Sequence, residues 1–477
     1  MIFTTFSKTG TPQKPHPRRY FAAGISGALF LLLFFLMSGC ILNDIQPGTG
    51  YAAKNICTGL FVSGIERRTM ANDYVAPEVD PLHLVWEIDV NRFKKTVTVR
   101  DIFFKDYYAT TAVYREGLGC TCLIGKTRRQ LMRQMPDDPP LLSLPDHLPW
   151  PRGTAGIHPD IPANVDMAAV QTAIDESFKE DADAPRQTVA VAVVHGNKLI
   201  AEQYAEGFTP HTPILGWSMS KSVTSALVGI QSGMGLLSVS DSHLFEQWEG
   251  TPKADITIEH LLHMSSGLEF YEESRGDNNN LAEMLYSTED YAQYMIDREL
   301  YNPPGTVWHY STGETMLLAR IVQDNAGGTL ADGYRFMQEE LFHRIDIANA
   351  VVEFDPSGTF FGGAGFIMPA RDWARIGQLY LQNGVWNGAQ VLPENWVAYS
   401  LTPAPTKASY GTQIWLNIHR KTWPELPEDT ISFLGHNCQR VIIVPSHDLV
   451  VVRLGYTFDY SVDPTEQLVK QIMAAID

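Results

Sequence analysis

"ILGWSMSKSVTSALVGI", residues 214–230, places Ser218 three positions before Lys221, where a loop passes into an apolar periodic segment. Val223, Leu227, Ile230 and Met234 follow a helical rhythm, which predicts a helix with one buried stripe starting close to Ser218. Residues three apart share a helix face, so the Lys221 amine is within reach of the Ser218 hydroxyl in a single turn. A serine hydroxyl is a weak nucleophile until a neighbouring base takes its proton, and a helix N-terminus favours the oxyanion formed on attack. Taken alone, the same pair also reads as a helix cap followed by an exposed lysine.

Composition narrows the setting. The chain has 477 residues, 44% hydrophobic and 19% charged, enough to bury one large core or two ordinary ones. Fifty-four acidic against 36 basic residues give a formal charge of −18, which repels phosphate backbones and argues against nucleic acid as a partner.

The N-terminus reads as a targeting segment. Lys8, Lys14, Arg18 and Arg19 precede 18 uncharged residues, 20–37, so the remainder of the chain is expected outside the cytoplasm. Ser38-Gly39-Cys40 at its end resembles a bacterial lipoprotein signal, with Cys40 lipidated after cleavage. An uncleaved signal anchor is the alternative, since 18 apolar residues just span a bilayer. An oxidising compartment favours a disulfide among the next three cysteines, from Cys57 to Cys120 or Cys122. A metal site at Cys120 and Cys122 lacks a nearby fourth ligand, so none is expected.

Short strand-like runs between 51 and 125 ("GLFVSG", "LVWEIDV", "KTVTVRDIFF", "TTAVYR") predict a small β-rich extension. Eight prolines between Met135 and Pro162 mark residues 126–160 as an extended linker wrapping onto the domain at 161–477. There Asn164 is placed to cap a helix through Met167, Val170, Ile174 and Phe178, followed by a hairpin turning at Gly196-Asn197. Two strands around Pro445–Asp448 and a closing helix end the chain. Helices at both ends with antiparallel strands beside them predict an α+β domain.

Two further stretches change the weight of the Ser218–Lys221 pair. "LYNPPGTVWHYSTGETMLLARIV" sets Tyr310, Ser311 and Thr312 before another apolar helix, and "SFLGHNCQRVIIVPS" leads His436-Asn437-Cys438 into a strand. With Ser-x-x-Lys, in this order, the chain from about 160 to its end resembles the serine β-lactamase and penicillin-binding protein superfamily. The likeness is greatest to class C-like hydrolases, which include esterases, D-aminopeptidases and 6-aminohexanoate-oligomer hydrolases. "ITIEHLLHMSSGLEF" and the segment from Gly362 to Trp396 resemble that family's connecting segments.

The resemblance implies the β-lactamase/transpeptidase-like fold, an antiparallel sheet flanked by terminal helices plus an all-helical subdomain. It implies that Ser218 is acylated, that Lys221 shares in its deprotonation and that Tyr310 passes the proton to the leaving group. The oxyanion hole would combine the N–H groups of Ser218 and Gln439. No metal or organic cofactor enters. Free lysine and tyrosine titrate near 10, so one neutral and the other anionic at pH 7 requires roughly 3 units of coupling, on the order of 4 kcal/mol.

Two departures bear on the substrate. Thr312 stands where the family carries an asparagine, and His436-Asn437-Cys438 replaces Lys-Thr-Gly, leaving Thr312, His436 and Asn437 as the expected substrate-binding groups. His436 is expected to bond Tyr310 or a substrate carboxylate, and Cys438 reads as a buried structural thiol. The reading is an exported serine hydrolase acting on a small or peptide-like ester or amide. Its alternatives are an envelope binding protein of the same fold that deacylates slowly or not at all, and a β-lactamase or D-peptidase. An α/β-hydrolase elbow at "GWSMS" is disfavoured because no buried strand precedes it, and "GGAG" at 362–365 reads as a turn.

Overall fold

The computed structural model describes residues 45–476 except 104, 182–183 and 273–278. The expected targeting segment, including Cys40, lies outside the described residues. Among the described residues no helix is long and apolar enough to cross a membrane.

Residues 45–61 form a helix, where "GLFVSG" had suggested a strand. Ala52, Ala53, Ile56 and Cys57 are all fully buried. Thr49, Lys54, Asn55 and Thr58 of the same helix are buried too, so its burial follows no apolar stripe and the helix is covered on all sides, its polar groups included. Its cover is in part a four-stranded antiparallel sheet, β1 (Trp86–Asn91), β2 (Thr96–Asp101), β3 (Lys105–Arg115) and β4 (Gly119–Cys122), in that order. Cys57 is disulfide-bonded to Cys120 on β4, and Cys122 stays free and buried. The extension shares one hydrophobic core with the segment around Ser218, since Ile56, Val97 and Cys120 belong to the same cluster as Trp217, Val223 and Leu227.

The proline-rich stretch carries a short helix, Arg128–Met132, and is otherwise largely irregular. It is pinned at Trp150, fully buried, whose indole N–H donates to the Arg371 carbonyl at 3.0 Å.

The central sheet has six antiparallel strands in the order β12-β13-β14-β15-β5-β6. These are β5 (Thr188–His195), β6 (Lys198–Tyr204), β12 (Trp415–Leu416), β13 (Ile431–Gly435), β14 (Gln439–Val444) and β15 (Leu449–Gly455). Alternate residues divide between two cores, as the two-residue period of a strand requires. Val191, Val193, Ile442 and Val451 meet the terminal helices Met167–Ser177 and Thr465–Ile476. Ala192, Val194, Val441 and Val450 face the larger core, where helix Ala370–Leu381 packs. The first of the terminal helices is capped by Asp166, which accepts from the N–H groups of Ala168 and Ala169, and not by Asn164. Asn164 instead donates its amide to the Ile476 carbonyl at 2.9 Å, tying the two terminal helices together.

Between β6 and β12 lie most of the helices, with small ladders β7 (Ile214–Leu215), β8 (Val351–Val352) and β9 (Phe366–Met368), and the hairpin β10–β11 (Val385–Trp386, Ala389–Gln390). Helices Ser220–Gly233 and Thr312–Asn325 pack on each other. The first is buried on nearly every side, not along one stripe, and Met234 at its C-cap is exposed.

Glu353 joins the extension to this body. Its carboxylate takes the buried Lys54 ammonium, the Thr58 hydroxyl at 2.7 Å and the Cys120 N–H at 3.3 Å. Removing one partner of a buried pair leaves an uncompensated charge, which costs about 3–5 kcal/mol. Glu353→Ala is therefore expected to lower unfolding free energy in urea by about that amount. A change of a few tenths would show that the extension is held by other contacts.

Candidate active site

Ser218 sits in a single 3-10 turn, Trp217–Met219, which runs directly into helix Ser220–Gly233. The turn is tight: Gly216 has no room for a side chain, since a Cβ would fall 2.0 Å from the Trp373 ring. Trp217 takes a left-handed φ of 50°, an uncommon conformation for a bulky residue. It is held there by its ring, stacked on Tyr51 at 6.2 Å and edge-on to His436 at 5.3 Å. The first N–H groups of a helical turn lack intrahelical acceptors, and Ser218 carries one of them at the rim of the cleft.

Lys221 is 1% exposed. Its amine donates to Ser218 Oγ at 3.1 Å, Thr312 Oγ1 at 2.8 Å and the Gly363 carbonyl at 3.0 Å. Burial away from water lowers its pKa to about 8, against the opposing pull of the Glu272 carboxylate. Thr312 opens helix Thr312–Asn325, which Ser311 caps by accepting from the Glu314 N–H at 3.1 Å. That cap sets the entry of the chain so that Tyr310, two residues earlier, lies over the same amine, 4.9 Å from ring centroid to Lys221 Nζ.

Burial, foremost, and the Glu272 charge hold the Tyr310 phenol well above its ordinary pKa, with Ser218 beside it as a weaker opposing influence. The tyrosinate alternative is thereby disfavoured. The lysine approaches neutrality near pH 8 while the phenol keeps its proton. Ser218, Lys221, Tyr310 and Thr312 are thus brought together, but Thr312 faces the lysine in addition to lining the cleft.

The other expected groups stand differently. The Gln439 N–H turns back to the His436 carbonyl, and its side-chain amide is engaged on both sides with Gly455. It is therefore not free to serve an oxyanion. Leu434, Gly435 and His436 border the cleft instead, and Gly435 lies so close to Gly216 that a Cβ there would fall 2.2 Å from the Gly216 carbonyl. His436 bonds neither Tyr310 nor open solvent. Its Nδ1 pairs with the Tyr460 hydroxyl at 3.1 Å and its Nε2 with Glu78 at 2.9 Å. Asn437 is turned away from the cleft, donating to the same Glu78 oxygen at 3.1 Å. Cys438 is fully buried, which pushes its thiol up to about 12, far from a thiolate nucleophile. The buried Arg453 guanidinium supports this loop, donating to the Cys438 carbonyl at 3.0 Å.

The cleft has a volume of about 600 Å³ and is walled chiefly by aromatic rings, among them Trp217, Tyr286, Trp308, Trp415 and Tyr460. Four contributors escape a reading of the sequence. Glu272 accepts from the Thr312 N–H, Gly363 offers its carbonyl to Lys221, and Glu78 and Tyr460 hold His436. None lies in a motif, and "GGAG" shows only a turn until helix packing aims one of its carbonyls. Among the described residues no cluster of side chains suited to a metal ion occurs.

Residues 174–467 match the profile of the family described as "Beta-lactamase". A 6-aminohexanoate-dimer hydrolase of Paenarthrobacter ureafaciens is 24% identical over 297 residues, 56% of this chain and 72% of that protein. Among solved structures, a Bacillus anthracis protein described as a candidate 6-aminohexanoate-dimer hydrolase superposes with a TM-score of 0.53 at 22% identity, covering 64% of this chain and 80% of its own. A class C β-lactamase gives 0.51 at 16% identity, covering 67% and 99%.

A base with a pKa of about 8 that must be neutral to accept a proton fixes the sign of the pH response. Below pH 8 Lys221 is mostly ammonium, so kcat/KM should fall about tenfold per pH unit on going down, and level off above about pH 9. No descending limb from Tyr310 is expected in the working range, because its pKa is raised. Rates on a neutral ester between pH 5.5 and 10 check this; a profile flat across pH 6–9 would remove Lys221 as the base.

Proposed function

The chain belongs to the β-lactamase family, and from its cleft we propose that it is a serine hydrolase acting on an ester or linear amide through an acyl-enzyme on Ser218. The observation that carries this reading is the buried Lys221 amine, 3.1 Å from the Ser218 hydroxyl and poised near neutrality. As an ammonium it has three hydrogens for three acceptors. Losing one frees a lone pair into which the Ser218 hydroxyl can donate. The alkoxide oxygen then attacks the substrate carbonyl. The anion formed is met by the Ser218 N–H and, we propose, by the backbone N–H at the Gly435–His436 end of β13, the stretch that lines the cleft beside the nucleophile turn.

Collapse needs a proton on the departing alcohol or amine. Tyr310 has it available, beside Ser218 and with its ring against the Lys221 ammonium, which can replace what the phenol gives up. Water entering the vacated side repeats the sequence in reverse and releases the acid. The aromatic walls favour an uncharged, apolar acyl or leaving group. The relative from Paenarthrobacter makes a linear amide a natural member of the substrate panel.

We further propose that the chain works outside the cytoplasm, held at a membrane through residues 20–37 or a lipid on Cys40. The basic N-terminus followed by 18 uncharged residues supports this, as does the disulfide between Cys57 and Cys120.

Ser218→Ala is expected to abolish ester hydrolysis and covalent labelling by a fluorophosphonate, with the wild-type adduct found by mass spectrometry on the peptide containing Trp217. An adduct on Ser220 or Ser222 would reassign the nucleophile; labelling of Ser218 without turnover would favour the binding-protein alternative. Substrate class follows from Thr312 and His436, whose polar groups already have protein partners. Loss of a well-placed hydrogen bond in a transition state costs about two to three powers of ten. Small neutral esters or linear amides should therefore exceed nitrocefin in kcat/KM by at least about a hundredfold. Fast nitrocefin cleavage with no esterase or amidase activity would overturn the assignment.

A further inference from the structure

The matched family region spans residues 174–467 and supplies every residue that lines the cleft, yet one of these lining residues, His436, is held from outside it. Glu78 lies in a short 3-10 turn of the N-terminal segment, Ala76–Glu78, and its Oε1 receives both His436 Nε2 and Asn437 Nδ2, at 2.9 and 3.1 Å. His436 lines the cleft beside Ser218, with its other ring nitrogen on Tyr460. Both ring nitrogens thus have protein partners before any substrate arrives.

Among the described residues the other charges near the cleft do not restore a site for an anion. Arg440 is held by Asp463 at 2.9 Å, Lys221 is enclosed by three acceptors, Lys407 sits over the Trp308 ring at 4.8 Å without lining the cleft, and Glu272 puts a carboxylate in the lining itself. The Glu78 turn is itself anchored. It follows a segment whose Tyr74 ring stacks on Tyr456 at 3.7 Å, and Tyr51 of the preceding helix stacks on Trp217.

We propose that Glu78 is a specificity-determining residue: the N-terminal segment supplies a built-in carboxylate that occupies the His436–Asn437 donors and excludes substrates bearing a carboxylate of their own. A substrate anion entering here meets a donor already engaged and a like charge behind it, in a partly buried setting where screening by salt is weak. The segment thereby confines the enzyme to neutral or cationic esters and amides. This rests on Ser218 being the acylated residue, and it adds a function to the part of the chain that the family match leaves out.

The test uses the full-length protein and two ester pairs, each a free acid and its methyl ester: p-nitrophenyl hemisuccinate, and p-carboxyphenyl butyrate. The first sets the charge on the acyl side and the second on the leaving group. In each protein the methyl ester is the internal reference, so the readout is the ratio of kcat/KM for acid to ester. Matching neutral and anionic phosphonates give the same ratio for the attack of Ser218 alone. Wild type should disfavour the acid at least tenfold in one pair or both. Glu78→Gln, which keeps an acceptor but removes the charge, should raise that ratio about tenfold, whereas Glu78→Asp should retain the discrimination. Equal treatment of acid and ester by wild type overturns the proposal without any variant. So does a Glu78→Gln ratio within twofold of wild type. Failure of the neutral esters and phosphonates to react at Ser218 would instead strike at the hydrolase reading, which separates the two.

Discussion

An amine removed from water and given only three acceptors is the constraint on which the site depends. Lys221 keeps its side chain within a fully packed region because Ser218, Thr312 and Gly363 each supply an oxygen to its nitrogen. Those three oxygens come from the nucleophile turn, the helix Thr312–Asn325 and the turn before β9. Moving any one of these elements would leave a buried polar group without a partner, at a cost of about 1–3 kcal/mol. The same desolvation that makes the arrangement demanding also lowers the lysine toward the pH at which it can accept a proton. Packing and chemistry here have a single physical origin.

The tyrosine illustrates how two similar titrations separate. Tyr310 and Lys221 are both taken out of water next to Glu272, yet burial acts oppositely on an acid that charges by losing a proton and a base that charges by keeping one. The phenol therefore stays protonated as a donor while the amine becomes available as an acceptor. Neither role requires a tyrosinate.

The N-terminal segment belongs to the same structure. The carboxylate of Glu353 holds its helix to the body, the aromatic pair Tyr51–Trp217 supports the strained nucleophile turn, and Glu78 reaches the loop at His436. A boundary drawn at the proline-rich stretch by composition thus separates residues that share one core. Proline content reports that a stretch has no regular secondary structure; it is silent on whether a side chain such as Trp150 is buried along the way.

Local spacing was sufficient where chemistry and fold share one helical turn or one strand period. Ser218 and Lys221 meet because residues three apart on a helix face each other, and the hairpin at Gly196-Asn197 and the strands around Pro445–Asp448 follow from alternation and turn residues. The β-lactamase-type fold was legible from the order of three short motifs. Contacts between parts distant in the chain were not. Helix 45–61 carries no stripe because partners cover it all round, the cap at Asp166 differs from Asn164 by two positions, and the Gln439 N–H is satisfied locally by His436. The pairing of Glu78 with His436 joins residues 358 apart in sequence. Sequence periodicity records which face of an element is apolar, whereas the partner a polar group finds depends on how elements pack, and only the tertiary structure decides that.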